Sequence, residues 1–215
     1  MAAYIGIYGG SFNPIHNGHL HLLAGFREGL PLSKLLVIPA GVPPHKIQAG
    51  NATWEDRLKM CQLAVELLNR ADLPGRNRPR IEVSDLEVRR QGRSYTVDTL
   101  KQLEECYPKT RRMLLMGEDM FRTLGQWFRA EEIFRLAEIC VAPRSETPLS
   151  GLQDLGQAYL AQFQGRIRYL PLPYLNLSST QIRARTGAGL PIAGLVPAKV
   201  ADYIRQRGLY AGAER

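Results

Sequence analysis

The residue types best suited to chemistry lie together near the start of the chain, in the segment G-G-S-F-N-P-I-H-N-G-H at residues 9–19. This segment follows an apolar run and opens a helical pattern. Glycines let the backbone come close to a phosphate, and the amides at a helix start donate hydrogen bonds to anions. Because His16 and His19 are three residues apart, a helix that begins near His16 presents both imidazoles on one side. The segment therefore predicts a phosphate site with two imidazole donors.

Other phosphate-binding motifs require a different spacing of glycines from the one in this segment. The chain has no G-x-x-x-x-G-K-[ST] motif, and Gly6, Gly9 and Gly10 do not form G-x-G-x-x-G, which disfavours a P-loop kinase and a dehydrogenase. A pair of helix-start histidines that only satisfy the backbone would have the same spacing as a phosphate site. His21, two residues after His19, should point away from the site and is expected to be a packing or surface residue.

Two further segments carry cations or helix starts suited to phosphates. P-P-H-K, residues 43–46, follows a predicted strand, where an open α/β sheet places its ligands, although a stiff proline turn is the simpler alternative. L-N-L-S-S-T-Q-I-R, residues 175–183, places Ser178 or Ser179 at a helix N-cap and Arg183 one turn later. An ordinary capped helix would look the same, so this segment indicates a second anion site only in combination with the first.

These segments have to be positioned by a fold in which strands and helices alternate. Short apolar runs that are typical of buried strands occur at residues 4–8, 35–39, 81–83, 113–116, 139–142 and 167–170. Helical patterns occur at 18–29, 54–70, 97–106, 152–163 and 198–207, and Thr53 with Asp56 is typical of a capping box. This order predicts an α/β, Rossmann-like, doubly wound fold. We expect a mostly parallel sheet with helices on both faces and a ligand crevice at the carboxyl ends of its strands.

Length and composition favour one globular unit. The 215 residues, 45% of them hydrophobic, suit a single domain over residues 1–215, with a small C-terminal helical part at about 178–215. No apolar run approaches the roughly 20 residues of a membrane-spanning helix. Residues 1–10 lack the basic start and long apolar stretch of a secretory signal. These features predict a cytoplasmic protein with no membrane partner, and nothing in the sequence indicates an oligomeric state.

The distribution of charge and the cysteines disfavour two classes of site, a nucleic-acid-binding surface and a reactive thiol. The formal net charge is +8, and much of the excess is local, in Arg76, Arg78, Arg80, Arg89, Arg90 and Arg93. No aromatic residues interleave with residues 76–80 to stack on bases, so a solvated loop is favoured over a nucleic-acid site. Three separate cysteines, Cys61, Cys106 and Cys140, are typical of reduced structural thiols.

The run F-N-P-I-H-N-G-H at residues 12–19 resembles the HxGH nucleotidyltransferases, and in particular their bacterial nicotinate mononucleotide adenylyltransferase branch. P-P-H-K is similar to a signature of that branch. L-S-S-T-Q-I-R is similar to the superfamily's I-S-S-T-x-I-R, with Leu177 in place of isoleucine. The resemblance extends at least from Gly9 to Arg183. It implies transfer of AMP from ATP to nicotinate mononucleotide, with no nucleic-acid partner.

The resemblance also implies roles for individual residues. The implied catalytic residues are His16, His19, Lys46 and Arg183. The implied ATP-binding residues are Gly9, Gly10, Ser11, Phe12, His16, His19, Gly117, Asp119, Ser178, Ser179 and Arg183. The implied acceptor-binding residues are Ser11, Phe12, Asn13, His45, Lys46, Tyr95, Thr96, Trp127 and Phe128, with Trp127 stacking on the pyridine ring. Glu118 stands where the family more often has a small residue, which departs from its ribose-contacting pattern.

The implied reaction needs positioning and charge stabilisation more than proton transfer. An ionised phosphate attacks the α-phosphorus of ATP without a general base, so fixed cations and N–H donors suffice. No carboxylate or cysteine cluster predicts a protein-held metal, and Mg²⁺ is expected to arrive with ATP. The alternatives are another HxGH adenylyl- or cytidylyltransferase, such as a phosphopantetheine adenylyltransferase, and a non-catalytic nucleotide-binding regulator. A regulator would be expected to have lost the histidine pair or Arg183.

Overall fold

The computed structural model describes residues 4–43, 52–70, 78–90, 92–143, 149–173 and 175–212. Its sheet has six strands in the order β3-β2-β1-β4-β5-β6, and every neighbouring pair is parallel. Each predicted apolar run coincides with one strand, because strands covered on both faces need nearly continuous apolar sequence. The strands are β1 (Tyr4–Gly10), β2 (Leu32–Pro39), β3 (Ile81–Val83), β4 (Arg111–Gly117), β5 (Glu138–Ala142) and β6 (Ile167–Tyr169). The predicted doubly wound α/β fold is confirmed.

Helices connect the strands and extend the chain beyond them. The five predicted helical patterns each correspond to an observed helix, and the N-cap predicted before Arg183 begins another. The short helices α3, α5 and α6 were not predicted, because four to seven residues give too little periodicity. The helices are α1 (Asn17–Gly29), α2 (Trp54–Arg70), α3 (Leu86–Arg89), α4 (Thr96–Cys106), α5 (Glu118–Thr123), α6 (Ala130–Leu136), α7 (Leu149–Gln162), α8 (Ser179–Gly187) and α9 (Ala198–Gln206), with a 3₁₀ turn at Leu124–Gln126.

The predicted capping box at the start of α2 is present. The backbone N–H of Thr53 donates to Asp56 Oδ2 at 3.0 Å, and the N–H of Asp56 donates to Thr53 Oγ1 at 3.3 Å. Tyr203 of α9 also donates its hydroxyl to Asp56, at 2.8 Å from Oδ1. Two backbone donors at the start of α2 are thus satisfied, and the same carboxylate attaches the C-terminal helix.

The sheet buries an apolar cluster on each face. Along β4, Met113 and Leu115 belong to the cluster under α1, α2, α8 and α9, whereas Leu114 and Met116 belong to the cluster under α4 to α7. This alternation is the two-residue period of a strand. Cys61 and Cys140 are buried and Cys106 is exposed, and all three are free thiols. No helix in the described part of the chain is long and apolar enough to span a membrane.

The order of the strands locates the crevice between the carboxyl ends of β1 and β4. The chain leaves β1 toward α1 on one face of the sheet and leaves β4 toward α5 on the other face. Adjacent strands whose connections diverge in this way open a crevice at the point where the strand order reverses. Residues 9–19 and Gly117 therefore border the expected ligand site.

Candidate active site

The start of α1 fixes both histidines by reciprocal hydrogen bonds. His16 is the N-cap residue, and its Nδ1 accepts from the backbone N–H of His19 at 3.4 Å. His19 Nδ1 accepts from the backbone N–H of His16 at 3.2 Å, and the two rings stack with centroids 3.6 Å apart. Because each Nδ1 is an acceptor, the proton of each neutral ring lies on Nε2. The pair therefore offers two side-by-side Nε2–H donors.

Burial sets the charge of the first of these rings. His16 is 5% exposed, and its burial lowers its pKa to about 4. At neutral pH the ring is uncharged in the ligand-free protein and donates as a neutral imidazole. A Cβ on Gly18 would lie 3.0 Å from His16 Nδ1, so the glycine of H-N-G-H leaves the room that this ring occupies.

The loop between β1 and α1, which we call the first loop, is shaped by the buried ring of Phe12. A Cβ on Gly10 would lie 2.9 Å from Phe12 Cζ, and Phe12 itself has a φ of 45°. Phe12 is only 2% exposed as a whole residue, so its ring supports the shape of the loop from within the core. Gly9 is exposed at the end of β1 and leaves the adjacent backbone open to a ligand.

The start of α8 lies against this loop, as the sequence motifs imply. Ser178 is the N-cap of α8 and forms a capping box with Gln181. The Ser179 hydroxyl donates to the Pro14 carbonyl at 2.8 Å, and Arg183 Nη1 donates to the Asn13 carbonyl at 2.8 Å. The structure thus brings two segments about 170 residues apart in sequence to one place.

The segment after β4 adds a third wall. Gly117 is the N-cap of α5, and Asp119 is exposed in the first turn of that helix. Glu118 is 3% exposed, and its Oε1 accepts from Arg122 Nε at 2.9 Å. Burial against Arg122 explains how a long side chain is accommodated where the family more often has a small one.

Three aromatic residues, Tyr95, Trp127 and Phe128, which we call the aromatic patch, lie beside the start of α4 and the 3₁₀ turn. The rings of Tyr95 and Phe128 have centroids 4.6 Å apart, and Phe128 is 48% exposed. Trp127 is half-buried, and its Nε1 donates to Thr123 Oγ1 at 3.3 Å. Thr96 is the first residue of α4, and Tyr95 before it provides no side-chain cap. One exposed and two half-buried rings beside an uncapped helix start suit a flat, anionic ligand.

His45 and Lys46 lie outside the described residues. The chain that leads to them is described as far as residue 43, and it leaves the sheet beside the first loop. Pro39 at the end of β2 pairs with Gly10, and the N–H of Ala40 donates to the Gly10 carbonyl at 2.9 Å.

The sequence analysis missed Arg57, a buried residue of α2. Arg57 is 1% exposed, and it donates to the Ser11 carbonyl at 2.8 Å through Nη1 and to the Gly41 carbonyl at 2.9 Å through Nη2. Burial lowers the pKa of its guanidinium. The available signal was its place on the apolar face of α2, four residues before the buried Cys61.

The interpretation of residues 76–93 as a solvated loop needs a correction at Arg78, Arg89 and Arg90. Arg89 is exposed and pairs with Asp85, but it lies in α3 and not in a loop, and the half-buried Arg78 pairs with Glu28. Arg90 is also half-buried, and its Nη2 donates to Thr99 Oγ1 at 3.0 Å. Arg76 lies outside the described residues. The expectation for His21 agrees with the structure, since its exposed Nε2 lies 2.6 Å from the Pro173 carbonyl.

A hollow of about 470 Å³ lies at the opposite edge of the sheet, where the strands begin. Several of its arginines are engaged in ion pairs, including Arg112 with Glu104 and Arg135 with Glu132. Ligands of such sheets bind at the other edge, so we place the active site at the histidine pair. Within the described ranges, no group of three or more histidine, cysteine or acidic residues could hold a metal ion.

The fold and the paired imidazoles define a nucleotide-binding transferase class, and a family model described as "Cytidylyltransferase-like" matches residues 7–185. Two curated bacterial relatives carry the name "Probable nicotinate-nucleotide adenylyltransferase". The relative from Synechococcus sp. (strain JA-2-3B'a(2-13)) is 40% identical, and the match covers 96% of each chain. The relative from Desulfitobacterium hafniense (strain Y51) is 38% identical over 96% of this chain and 95% of its own. The chain therefore belongs to the nicotinate-nucleotide adenylyltransferase family.

A solved structure agrees with this assignment at the level of the fold. The Plasmodium falciparum nicotinic acid mononucleotide adenylyltransferase complexed with NaAD superposes with a TM-score of 0.76, and 97% of each chain is covered. The two sequences are 20% identical, so this likeness concerns the fold alone. The family resemblance that the sequence motifs indicated is confirmed.

Proposed function

We propose that this protein transfers the AMP part of ATP to nicotinate mononucleotide, which yields nicotinate adenine dinucleotide and pyrophosphate on the route to NAD. Membership of the family supports the reaction type and the acceptor. The observation that carries the proposal is the stacked pair His16 and His19, fixed by reciprocal hydrogen bonds just after the carboxyl end of β1.

The chemistry is a displacement at phosphorus. An oxygen of the acceptor's phosphate attacks the α-phosphorus of ATP, and the bond from that phosphorus to the bridging oxygen of the β-phosphate breaks. Pyrophosphate leaves with the electron pair. The attacking phosphate is already ionised at neutral pH, so the protein's task is to align two anions and stabilise the developing charge.

Four residues supply that stabilisation in this proposal. His16 donates from a neutral ring to the transferred phosphate, because burial lowers its pKa to about 4, and His19 donates from the ring stacked beside it. Arg183 has five N–H donors and uses one on Asn13 and one on Thr180, so others can reach the triphosphate. Lys46 contributes a second cation from the P-P-H-K segment. The α8 start with Ser178 and Ser179 faces the leaving pyrophosphate.

The nucleotide and the acceptor are both assigned to the loop between β1 and α1, and each has further contacts of its own. ATP contacts the backbone of residues 9–12, and the ribose of ATP contacts Gly117 and Asp119. The acceptor contacts Ser11, Phe12, Asn13, His45 and Lys46 with its phosphate and the aromatic patch with its pyridine ring. The pyridine carboxylate accepts from backbone N–H groups at Thr96 and Phe128.

A divalent cation, proposed here to be Mg²⁺, enters with ATP as part of the substrate. It would neutralise part of the negative charge on the phosphates, while His16, His19, Lys46 and Arg183 hold and orient them.

The test is pyrophosphate release from ATP with nicotinate mononucleotide, nicotinamide mononucleotide or phosphopantetheine as the acceptor. Mass spectrometry of the products identifies the bond formed. We expect nicotinate mononucleotide to give the highest kcat/KM and nicotinate adenine dinucleotide to appear in equal amount to pyrophosphate. Preference for phosphopantetheine, or binding of ATP without turnover of any acceptor, would contradict the proposal.

A further inference from the structure

A buried polar cluster lies behind the start of α4, and none of its residues has a role in the reaction proposed above. We call Glu87, Arg90, Ser94 and Thr99 the Glu87 cluster. Glu87 and Ser94 are each 7% exposed, and Thr99 is 2% exposed. Buried polar groups are costly unless they are hydrogen-bonded, so a cluster of this kind fixes the backbone segments that carry it.

Two hydroxyls converge on the Glu87 carboxylate. Thr99 Oγ1 donates to Glu87 Oε1 at 2.6 Å, and Arg90 Nη2 donates to the same Thr99 oxygen at 3.0 Å. The Ser94 side chain is also hydrogen-bonded to Glu87. Burial raises the pKa of Glu87, while the hydrogen bonds from Thr99 and Ser94 and the charges of Arg90 and Arg57 oppose that increase.

One side of the cluster holds the loop after β2. The Gly41 N–H donates to Ser94 Oγ at 2.9 Å, and the Gly41 carbonyl accepts from Arg57 Nη2 at 2.9 Å. A Cβ on Gly41 would lie 2.6 Å from the Glu87 carbonyl oxygen, so this loop rests directly on α3. Gly41 is thereby held through both of its backbone polar groups, two residues before the P-P-H-K segment.

The other side of the cluster holds the first turn of α4. The Tyr95 carbonyl accepts from the N–H groups of Asp98 and Thr99 at 3.2 and 3.3 Å, and from Arg90 Nη2 at 3.4 Å. Thr99 joins this turn to Glu87 through its side chain. The position of the Thr96 N–H and of the Tyr95 ring therefore depends on the cluster.

We propose that the Glu87 cluster is a positioning centre for acceptor specificity, because it sets the start of α4 against the loop after β2. This inference rests on the proposed function, in which these two segments hold the pyridine carboxylate and the phosphate of the acceptor. ATP is assigned to the first loop, α5 and α8. The cluster should therefore govern the acceptor and leave the nucleotide nearly unaffected.

The variant Thr99→Val tests the proposal, since valine keeps the shape of threonine and removes the hydrogen bonds of its hydroxyl to Glu87, Arg90 and the Tyr95 carbonyl. We expect KM for nicotinate mononucleotide to rise at least about tenfold and KM for ATP to change less than about twofold. The preference for nicotinate over nicotinamide mononucleotide should fall as well. Thr99→Ser keeps the hydroxyl and should restore acceptor KM to near the wild-type value.

Thr110→Val is the matched control. Its hydroxyl donates to the Tyr107 carbonyl at 2.9 Å just before β4 begins, at the sheet edge opposite the active site. This variant also loses a side-chain hydrogen bond of a threonine, so it should lower Tm while both KM values stay unchanged. Should Thr99→Val fail to fold, Ser94→Ala applies the same test by removing the link between Gly41 and Glu87.

The experiment distinguishes a failure of the proposed acceptor from a failure of the positioning role of the Glu87 cluster. Absence of product from the wild-type protein with nicotinate mononucleotide refutes the proposed acceptor, and the KM comparison is then made with whichever acceptor is turned over. An unchanged acceptor KM in the folded variant, equal increases in both KM values, or no rescue by Thr99→Ser overturns the positioning role.

Discussion

His16, at the start of α1, is 5% exposed, whereas Phe128, on the aromatic patch, is 48% exposed. The phosphate side of the crevice is fixed by hydrogen bonds within the protein, including those of His19 to His16 and of Arg183 to Asn13. In the aromatic patch Phe128 is exposed, whereas Tyr95 and Trp127 are half-buried against the core, and the Trp127 indole N–H donates to Thr123.

The contrast follows from what each side has to do. Charge that develops at phosphorus is stabilised best by donors that are already in place, because nothing then has to reorganise during the reaction. A stacked ring needs contact area and a few polar groups, and both are present before and after the reaction. We therefore expect variants on the phosphate side to change kcat and variants on the acceptor side to change KM.

His19→Ala should give the largest effect. Removal of this Nε2–H should lower kcat by about 10² to 10³, roughly 3 to 4 kcal/mol, with a smaller change in either KM. His21→Ala is the matched control, because His21 is a half-buried histidine two residues away whose ring contacts the Pro173 carbonyl, and this variant should keep wild-type kcat. Near wild-type turnover by His19→Ala would remove the histidine pair from the mechanism.

The acceptor side should discriminate between a carboxylate and an amide. A pocket of backbone N–H donors can satisfy both carboxylate oxygens, whereas the amide of nicotinamide mononucleotide would turn its own donors toward protein donors. We expect kcat/KM for nicotinate mononucleotide to be at least about a hundredfold higher. Steady-state kinetics with the two acceptors measures this ratio. Similar values would exclude a donor-only pocket and leave the phosphate side of the account intact.

Trp127→Ala should give a smaller loss, confined to the acceptor. We expect binding of nicotinate mononucleotide to weaken by about 1 to 3 kcal/mol, or about 5- to 150-fold in Kd, the usual contribution of stacking a base on a ring. Calorimetric titration of the acceptor and of ATP measures both affinities. Equal losses for the two ligands would indicate that Trp127 supports the fold instead of stacking on the pyridine.

The pH dependence of the unfolding free energy should show that His16, on the buried side of the crevice, is kept neutral by burial. The pKa of His16 is lowered to about 4 from its ordinary 6.5, so the unfolded chain takes up this proton first as the pH falls. The free energy of unfolding therefore decreases as the pH falls from 6.5 to about 4, because the proton binds to the unfolded chain and not to the folded protein.

The variant His16→Asn isolates this contribution, because asparagine also serves as an N-cap but does not titrate. Between about pH 7 and pH 5, we expect the wild-type protein to lose about 2 kcal/mol more unfolding free energy than the variant. Urea denaturation at the two pH values gives the difference. Equal pH dependence would mean that His16 is not held neutral by burial.

The features that the sequence predicted correctly have local causes. The six apolar runs became the six strands, and His16 became the N-cap of α1, because periodicity and capping depend on residues a few positions apart. The motif pattern likewise indicated that Ser179 and Arg183 belong with the first loop, since family signatures mark both segments.

The features that the sequence did not predict depend on distant contacts. The partners of Arg57 are 46 and 16 residues away along the chain, and Tyr210 donates to Asn13 across 197 residues. The role of α3 could not be predicted from the local sequence either, because four residues show no helical period. The hydrogen-bond partner of Glu87, Thr99, lies in another helix, α4. Only the folded topology brings such groups together.

The double variant His19→Ala/Trp127→Ala, measured for kcat and acceptor KM beside both single variants, tests the division between the two sides most directly. If the histidine acts on the transition state and the tryptophan on the bound acceptor, the two losses are independent and multiply. We expect the double variant to show the kcat of His19→Ala and the KM of Trp127→Ala. A double variant no worse in kcat/KM than His19→Ala alone would contradict the account, because the two sides would then act as one unit.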